Sequence, residues 1–368
     1  MDVNNQKIRA IGAGVLVVLW AALTAVSWFA PPKDISEAER RPLKQFPTTN
    51  ATTLLSGKFM KDFEGYTLDQ FPLRDSFRKI KALFHYNALQ QKDNNGIYIV
   101  DGYAAEMEYP MDKASVERAM GQYNKVYELY LKNSNTKIYN TVVPDKGYYL
   151  AKENGYLSLD YDAMFSLVRS KTPWAAWTDI ADCLALEDYY YTDIHWRQEK
   201  ILKVANRLLA AMNAPPAQAA DFTAKPMERP FYGVYYGQAA LPMEPETMYL
   251  MHSNVIDGCT VYDHTTKKTT PVYNPAMLTD KDQYNIYLNG PQSLLTVTNP
   301  NATTDRELLI FRDSFGSSLA PLLLQSYKSV TLVDIRYIQP EFLGKFIEFN
   351  DQDVLFMYSA LVLNKKLI

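Results

Sequence analysis

A serine acts as a nucleophile where a base takes its proton and nearby N–H groups receive the developing charge. Ser314 lies in ELLIFRDSFG, where an apolar run that reads as a buried strand reaches a tight turn, and SSLAPLLLQSY then opens as a helix. Such a strand-to-helix turn holds a hydroxyl exposed, with helix-terminal backbone N–H groups beside it. The same residues also suit a plainer role, because Asp and Ser favour helix N-caps and either Asp313 or Ser314 could be one. A second group is Asp193 and His195 in YYYTDIHWRQEK. Two apart on an extended segment, they share a face, and the carboxylate would hold the imidazole in one tautomer. A base that deprotonates a serine needs that arrangement. The competing reading is a Thr/Asp cap on a helix beginning near Arg197, with His195 as a packing residue.

Weaker candidates surround these three. Asn289 and Gly290 in YLNG suit oxyanion donors, or a plain turn. Arg312, Trp196, Tyr191 and Lys146 are candidate substrate contacts; Lys146 follows an apolar run and reads equally as a solvated loop lysine. The Tyr-rich stretches 189–191 and 231–237 could stack on sugar rings, and the chain carries 27 tyrosines in all. Four histidines and two cysteines, Cys183 and Cys259, exclude a disulfide scaffold and a four-cysteine zinc site. They leave one bridge or none. Neither His252 nor His264 stands at a tight ligand spacing, so no metal is expected. Lys plus Arg number 38 against 41 Asp plus Glu, which leaves no basic field for nucleic acid.

The elements that must position these residues are clearest toward the C-terminus. ELLIFR, SVTLVDI and DVLFMYS read as strands, with helices predicted in SSLAPLLLQSY and QPEFLGKFIEF between them. Strand–helix–strand repeats at this spacing imply parallel strands and an α/β domain. Functional residues in such sheets gather at the carboxyl ends of strands, where Arg312, Asp313 and Ser314 fall. Upstream, 137–143 reads as a buried strand, and 113–132 and 197–212 read as helices. GIYIVDGYAAEM reads as a hairpin turning at Asp101 and Gly102. Leu55, Phe59, Phe63 and Tyr66 stand at helical spacing, and a further helix is expected over about 73–91. Residues 213–275 show no readable order.

Ala10 to Ala30 form an uncharged run long enough to span a bilayer core of about 30 Å. A cleaved signal would have a shorter apolar core, and its best small-residue site, Ala25-Val26-Ser27, is mediocre. An uncleaved anchor is therefore expected. Basic residues flank it on both sides, so local charge does not set its orientation. A nine-residue tail before a large C-terminal domain is the usual layout of a signal anchor, and the body is expected outside the cytoplasm. The resulting division is a tail over 1–9, an anchor over 10–30, a linker and helical lead-in over 31–92, and a catalytic domain over 93–368.

In the order and spacing of its segments the chain resembles the DHHW family of bacterial envelope proteins. That family is similar in turn to the alginate O-acetylation proteins of the SGNH-hydrolase superfamily. The segments are the anchor, FMKDFEGYTLDQFPLRDSFRKIK, NNGIYI, VVPDKGYYL, TDIHW, DQYNIYLNG, LLIFRDSFGSSLAPLL and DVLFMYS. The name motif Asp-His-His-Trp stands here as Asp193, Ile194, His195 and Trp196, and Arg312 occupies the place of a superfamily glycine. The resemblance implies a three-layer α/β domain with a mainly parallel sheet behind an N-terminal transmembrane helix. It implies Ser314, His195 and Asp193 as a catalytic triad in an extracytoplasmic O-acyltransferase, most simply an O-acetyltransferase, with no cofactor. A polytopic membrane O-acyltransferase would supply the acyl group, and an envelope polysaccharide or exopolysaccharide would accept it. An esterase of the same fold, or a silent glycan-binding scaffold, remains open. The anchor makes a direct expectation: the protein stays in the membrane fraction through alkaline carbonate washing. Release as a shortened soluble form would identify a cleaved signal instead.

Overall fold

Strands buried on both faces need apolar residues at nearly every position, and the C-terminal segments supply them. The computed structural model describes residues 3–279, 282–366 and 368. Two compact units divide the chain: Met1–Asn94 with Gly237–Pro242, and Asn95–Tyr236 with Met243–Ile368.

The second unit is built on an eight-stranded sheet. Its strands are β1 (Lys137–Val143), β2 (Ala176–Trp177), β3 (Thr260–Asp263), β4 (Lys268–Pro271), β5 (Leu294–Thr298), β6 (Glu307–Arg312), β7 (Ser329–Val333) and β8 (Asp353–Ser359). Across the sheet they run β4-β3-β5-β7-β6-β8-β1-β2. The five from β7 to β2 are mutually parallel, as the strand–helix repeats require. The other three join antiparallel, and two of them come from the stretch whose order was unreadable. One face packs Val143, Ile310, Leu332 and Leu355 under helices Leu202–Ala211 and Phe315–Leu323. The opposite face packs Val142, Leu309, Phe311 and Phe356 under helices Lys113–Val126 and Tyr161–Lys171. The alternation along β6 and β8 therefore feeds two cores, and three layers result.

Several expected elements differ in extent. The helix expected from Arg197 starts as the 3-10 turn Gln198–Lys200 and becomes α-helical only over Leu202–Ala211. The helix expected in QPEFLGKFIEF is only a 3-10 segment, Pro340–Lys345. Gly344 disfavours a longer helix and comes so close to the Tyr130 ring that a β-carbon there would lie 2.9 Å from it. The Asp101–Gly102 hairpin forms as expected, with both residues at positive φ.

In the first unit, Gln6–Phe29 lies within helix Val3–Phe29, has a mean hydropathy of 2.1, and is long and apolar enough to cross a membrane. Leu55 does not share a helix with Phe59, Phe63 and Tyr66. Gly57, at φ 71°, separates Ala51–Leu55 from Lys58–Asp69. The three aromatics instead pack around Phe46, with ring centroids 5.4 to 6.4 Å away. The helix expected over 73–91 is Arg74–Leu83, prolonged by a π-helical turn at Phe84–Ala88.

Candidate active site

Ser314 stands at the N-cap position of helix Phe315–Leu323, directly beyond the carboxyl end of β6. Its side chain makes no capping hydrogen bond. Asp313 takes that role: its Oδ1 accepts from the Phe315 N–H at 3.0 Å and its Oδ2 from the Ser359 N–H at 2.8 Å. The serine hydroxyl is thereby left for another partner. Gly316 allows the helix to start so tightly against the strand, because a β-carbon there would fall 2.7 Å from Arg312 Cβ.

That partner is His195. Its Nε2 lies 2.7 Å from Ser314 Oγ, and its Nδ1 lies 2.5 Å from Asp193 Oδ1. Asp193 and His195 are buried, and Ser314 is half-buried. The pair does not share one face of a strand, as the two-residue spacing suggested. The segment bends, and Asp193 Oδ1 also accepts from the His195 backbone N–H at 3.1 Å. This turn around an aspartate side chain brings carboxylate and imidazole together as well as a strand would. Tyr284 stacks on the imidazole, 3.8 Å away and within 6° of parallel. Its hydroxyl donates to Ser318 Oγ at 2.7 Å, so the stacking ring is itself fixed.

Three groups hold the loop that carries the imidazole. Glu246 accepts from the N–H groups of Tyr191 and Thr192, both at 2.8 Å, and from the Thr192 hydroxyl at 2.9 Å. Lys146 Nζ donates to the carbonyls of Tyr190 and Tyr191, at 2.7 and 3.1 Å. The Val234 N–H donates to Asp193 Oδ2 at 2.8 Å. Gly233 approaches so closely that a β-carbon would meet the backbone of Thr192 and Asp193 at 2.3 to 2.4 Å. The residue before that donor therefore has to be glycine.

The remaining sequence candidates have other places. Trp196 is wholly buried and donates to Ser318 Oγ at 2.9 Å, tying the loop to the helix that Ser314 begins. Lys146 is buried under the loop, above the Tyr235 ring, and does not line a cleft. Arg312 is also fully buried, so it faces no solvent-borne substrate; Nε and Nη2 of its guanidinium have no hydrogen-bond partner among the described residues. Asn289 and Gly290 belong to the turn that was their plainer reading. The Asn289 amide is occupied by Thr270 and Asn274, and the Gly290 N–H donates to the Tyr287 carbonyl. Of the tyrosine-rich stretches, Tyr189, Tyr190 and Tyr235 are core residues. Tyr191 and Tyr232 are exposed, Tyr191 stacking on Tyr103 at 4.0 Å.

Glu246 and Tyr284 were not recognised from sequence. No local pattern marks Glu246 in LPMEPET, whereas Tyr284 lies in DQYNIYLNG, the segment whose Asn and Gly drew attention instead. A polar groove of about 650 Å³, lined by residues such as Asp221, His252, Asn254 and Asn301, contains none of the three triad candidates. Asn301 lies in the connection entering β6, at the sheet edge opposite Ser314. Among the described residues no group of His, Cys, Asp and Glu side chains is arranged to hold a metal. The cysteines are unpaired.

Fold and site together define an α/β protein with a serine–histidine–aspartate arrangement at the carboxyl edge of its sheet. Among solved structures the chain is similar to a DHHW family protein from Eubacterium siraeum. The TM-score is 0.57 at 20% identity, over 74% of this chain and 93% of that one. It is also similar to Bacillus cereus PatB1 with a sulfonyl adduct, at TM-score 0.60 and 17% identity, over 74% and 97% of the two chains. The O-acetyltransferase domain of Pseudomonas putida AlgJ matches at TM-score 0.44 and 12% identity, over 73% and 92%. No protein-family model and no curated protein sequence matches. At these identities the likeness is one of fold.

Burial lowers the Lys146 pKa from 10.5 to about 7, against the opposing pull of Asp193, Glu246 and Asp145. Between those two pH values the unfolded chain holds a proton on Lys146 that the folded chain has released. Stability contributed through this group therefore rises with pH across that window and is lost as pH falls toward 7. The Tm of the intact protein minus that of Lys146→Met should increase by several degrees over the interval. A constant difference, measured by thermal unfolding in detergent, would show that the buried amine keeps its proton.

Proposed function

We propose that the chain is a membrane-anchored, serine-dependent O-acyltransferase, moving an acetyl group onto an envelope polysaccharide outside the cytoplasm. The observation that carries this reading is the unbroken contact from Asp193 through His195 to Ser314, at 2.5 and 2.7 Å. A silent scaffold has no need of a buried carboxylate aligned on an imidazole that reaches an uncapped serine. The covalent sulfonyl adduct on PatB1 gives the reading a reagent class for its test.

Ser314 Oγ attacks the carbonyl carbon of the acyl donor, and its proton passes to His195 Nε2. Asp193, bonded at Nδ1, stabilises the imidazolium that forms, and the parallel Tyr284 ring keeps the imidazole in the plane of transfer. The oxyanion develops at the amino end of helix Phe315–Leu323. There the N–H groups of Phe315, Gly316 and Ser317 already bond to Asp313 and Ser314, which leaves the Ser314 N–H as the nearest donor. His195 returns the proton to the leaving group, and an acyl-serine remains. A sugar hydroxyl, deprotonated by the same imidazole, then attacks the acyl carbon; the bond to Ser314 Oγ breaks, and His195 passes the proton to that oxygen. Water in that place would give hydrolysis. The resemblance to acetylation proteins favours the sugar, and a polytopic membrane acyltransferase is the donor partner it implies.

The test compares labelling by a sulfonyl fluoride, acyl-ester turnover with and without polysaccharide, and thermal unfolding. Ser314→Ala should lose the label and about a thousandfold or more of turnover while folding normally. His195→Ala should cost nearly as much, and Asp193→Asn less. The double variant Ser314→Ala/His195→Ala should be scarcely worse than Ser314→Ala, because both remove one step. A folded Ser314→Ala protein with undiminished turnover would overturn the mechanism. Ester turnover indifferent to polysaccharide would identify an esterase.

A further inference from the structure

Helix Arg74–Leu83 faces the wrong way for a water-soluble unit. At 100° per residue, Leu73, Phe77, Ile80 and Phe84 fall within an arc of about 60°. A stripe of that kind normally packs inward. Here the four residues are exposed by 68, 44, 61 and 56%. The charged residues turn inward instead. Arg74 reaches Glu39 at 2.5 Å and Asp69 at 3.5 Å, Arg78 reaches Glu39 at 3.4 Å, and Arg41 clamps Asp69 at 2.6 Å.

These ion pairs set the rotation of the helix. Rolling the stripe inward would draw both arginines away from Glu39 and leave its shielded carboxylate with Arg41 alone, 3.3 Å away. Arg78 also donates to the carbonyls of Gly237 and Gln238, holding the same orientation. The apolar stripe is thus turned outward by construction. Its surroundings agree: residues 35–94 expose 12 large hydrophobic side chains, against 10 in the whole of the larger unit, which concentrates apolar surface in the smaller one.

The same unit carries the apolar helix Gln6–Phe29, which ends 44 residues before Leu73. Lys81 is exposed at the edge of the stripe, about 70° from its centre, and Lys79 is exposed further round on the other side. A helix lying in a bilayer interface places cations there, level with the phosphate headgroups, while its apolar face sinks toward the acyl chains. Asp75 lies on the far side and is engaged by Arg74 and Arg78.

We propose that Leu73, Phe77, Ile80 and Phe84 dock into the headgroup–acyl boundary of an anionic bilayer, the one that Gln6–Phe29 enters. The inference rests on the anchor reading and is independent of acyl transfer. It makes the N-terminal unit a membrane-lying element in its own right.

The experiment uses the full chain in vesicles of phosphatidylcholine and phosphatidylglycerol, in a Cys183→Ser/Cys259→Ser background. A fluorophore is placed at Ile80→Cys or, as the opposite-face control, at Asp75→Cys. Quenching by a shallow nitroxide lipid should be about threefold stronger at position 80 than at 75, with position 80 shielded from aqueous iodide. Omitting phosphatidylglycerol should weaken that lipid quenching. Adding Leu73→Asp and Phe84→Asp should abolish it, with the Tm and carbonate resistance unchanged. Equal iodide access at both positions, in a protein that still resists carbonate, would overturn the docking and leave the anchor standing. Iodide protection without lipid quenching would make the cover a protein and overturn the lipid as occupant. Extraction by carbonate would overturn the anchor reading, and this inference with it.

Discussion

The contact between His195 Nε2 and Ser314 Oγ joins residues 119 positions apart, so its geometry is only as good as the loop that presents the imidazole. That loop is gripped through its peptide groups. Glu246 accepts the Tyr191 N–H while Lys146 donates to the Tyr191 carbonyl, so a carboxylate and an amine hold the two ends of one residue's backbone. In a site with little water such bonds are stronger than at the surface, and the dipoles they fix need no reorganisation when charge develops. The cost is visible in Lys146, whose charge is disfavoured by burial. In this unfavourable place the lysine gives the Tyr190 carbonyl a donor and the Tyr191 carbonyl a second one, beside the Ala104 N–H at 2.8 Å.

The elbow at Ser314 obeys the same logic from the other side. Asp313 caps the helix and also takes the Ser359 N–H, so β6, β8 and the helix start are pinned to one carboxylate. Ser318, a turn further on, receives hydrogen bonds from both Trp196 and Tyr284. Loop, stacking ring and the helix that Ser314 begins therefore share a single hydroxyl. A shift of any one would be felt by the others, which is how a dense interior holds functional groups to fractions of an ångström. The guanidinium of Arg312 is buried beside this elbow, and two of its nitrogens have no hydrogen-bond partner among the described residues.

The fold supplies the stage and leaves the chemistry to the site. Five parallel strands place the β6 carboxyl end where α/β proteins gather functional groups. Relatives by fold at 17 to 20% identity share that stage. From the motif pattern that its sequence resembles, this chain departs at Ile194 within the Asp–His–Trp segment and at Arg312 before the serine. Arg312 is fully buried and meets no solvent-borne substrate, whereas Ile194 sits half-buried between the two residues of the Asp193–His195 turn.

By itself the sequence determined what local periodicity and turn chemistry can determine. Strand 353–359 was readable as a nearly continuous apolar run and 137–143 by its β-branched and aromatic residues, and the Asp101–Gly102 hairpin because only left-handed residues suit its turn. Ser314, His195 and Asp193 stood out because their types and local setting are informative even before they meet. The antiparallel strands of 260–271 were illegible, since short edge strands of mixed polarity owe their form to the neighbour they pair with. Tertiary structure alone decided the roles of Glu246, Gly233 and Tyr284, whose contacts with the loop are made across 40 to 90 positions of chain and leave no local trace. It also decided that Lys146, Trp196 and Arg312 lie within the protein. Burial belongs to the packed arrangement of distant segments, and no single segment encodes it.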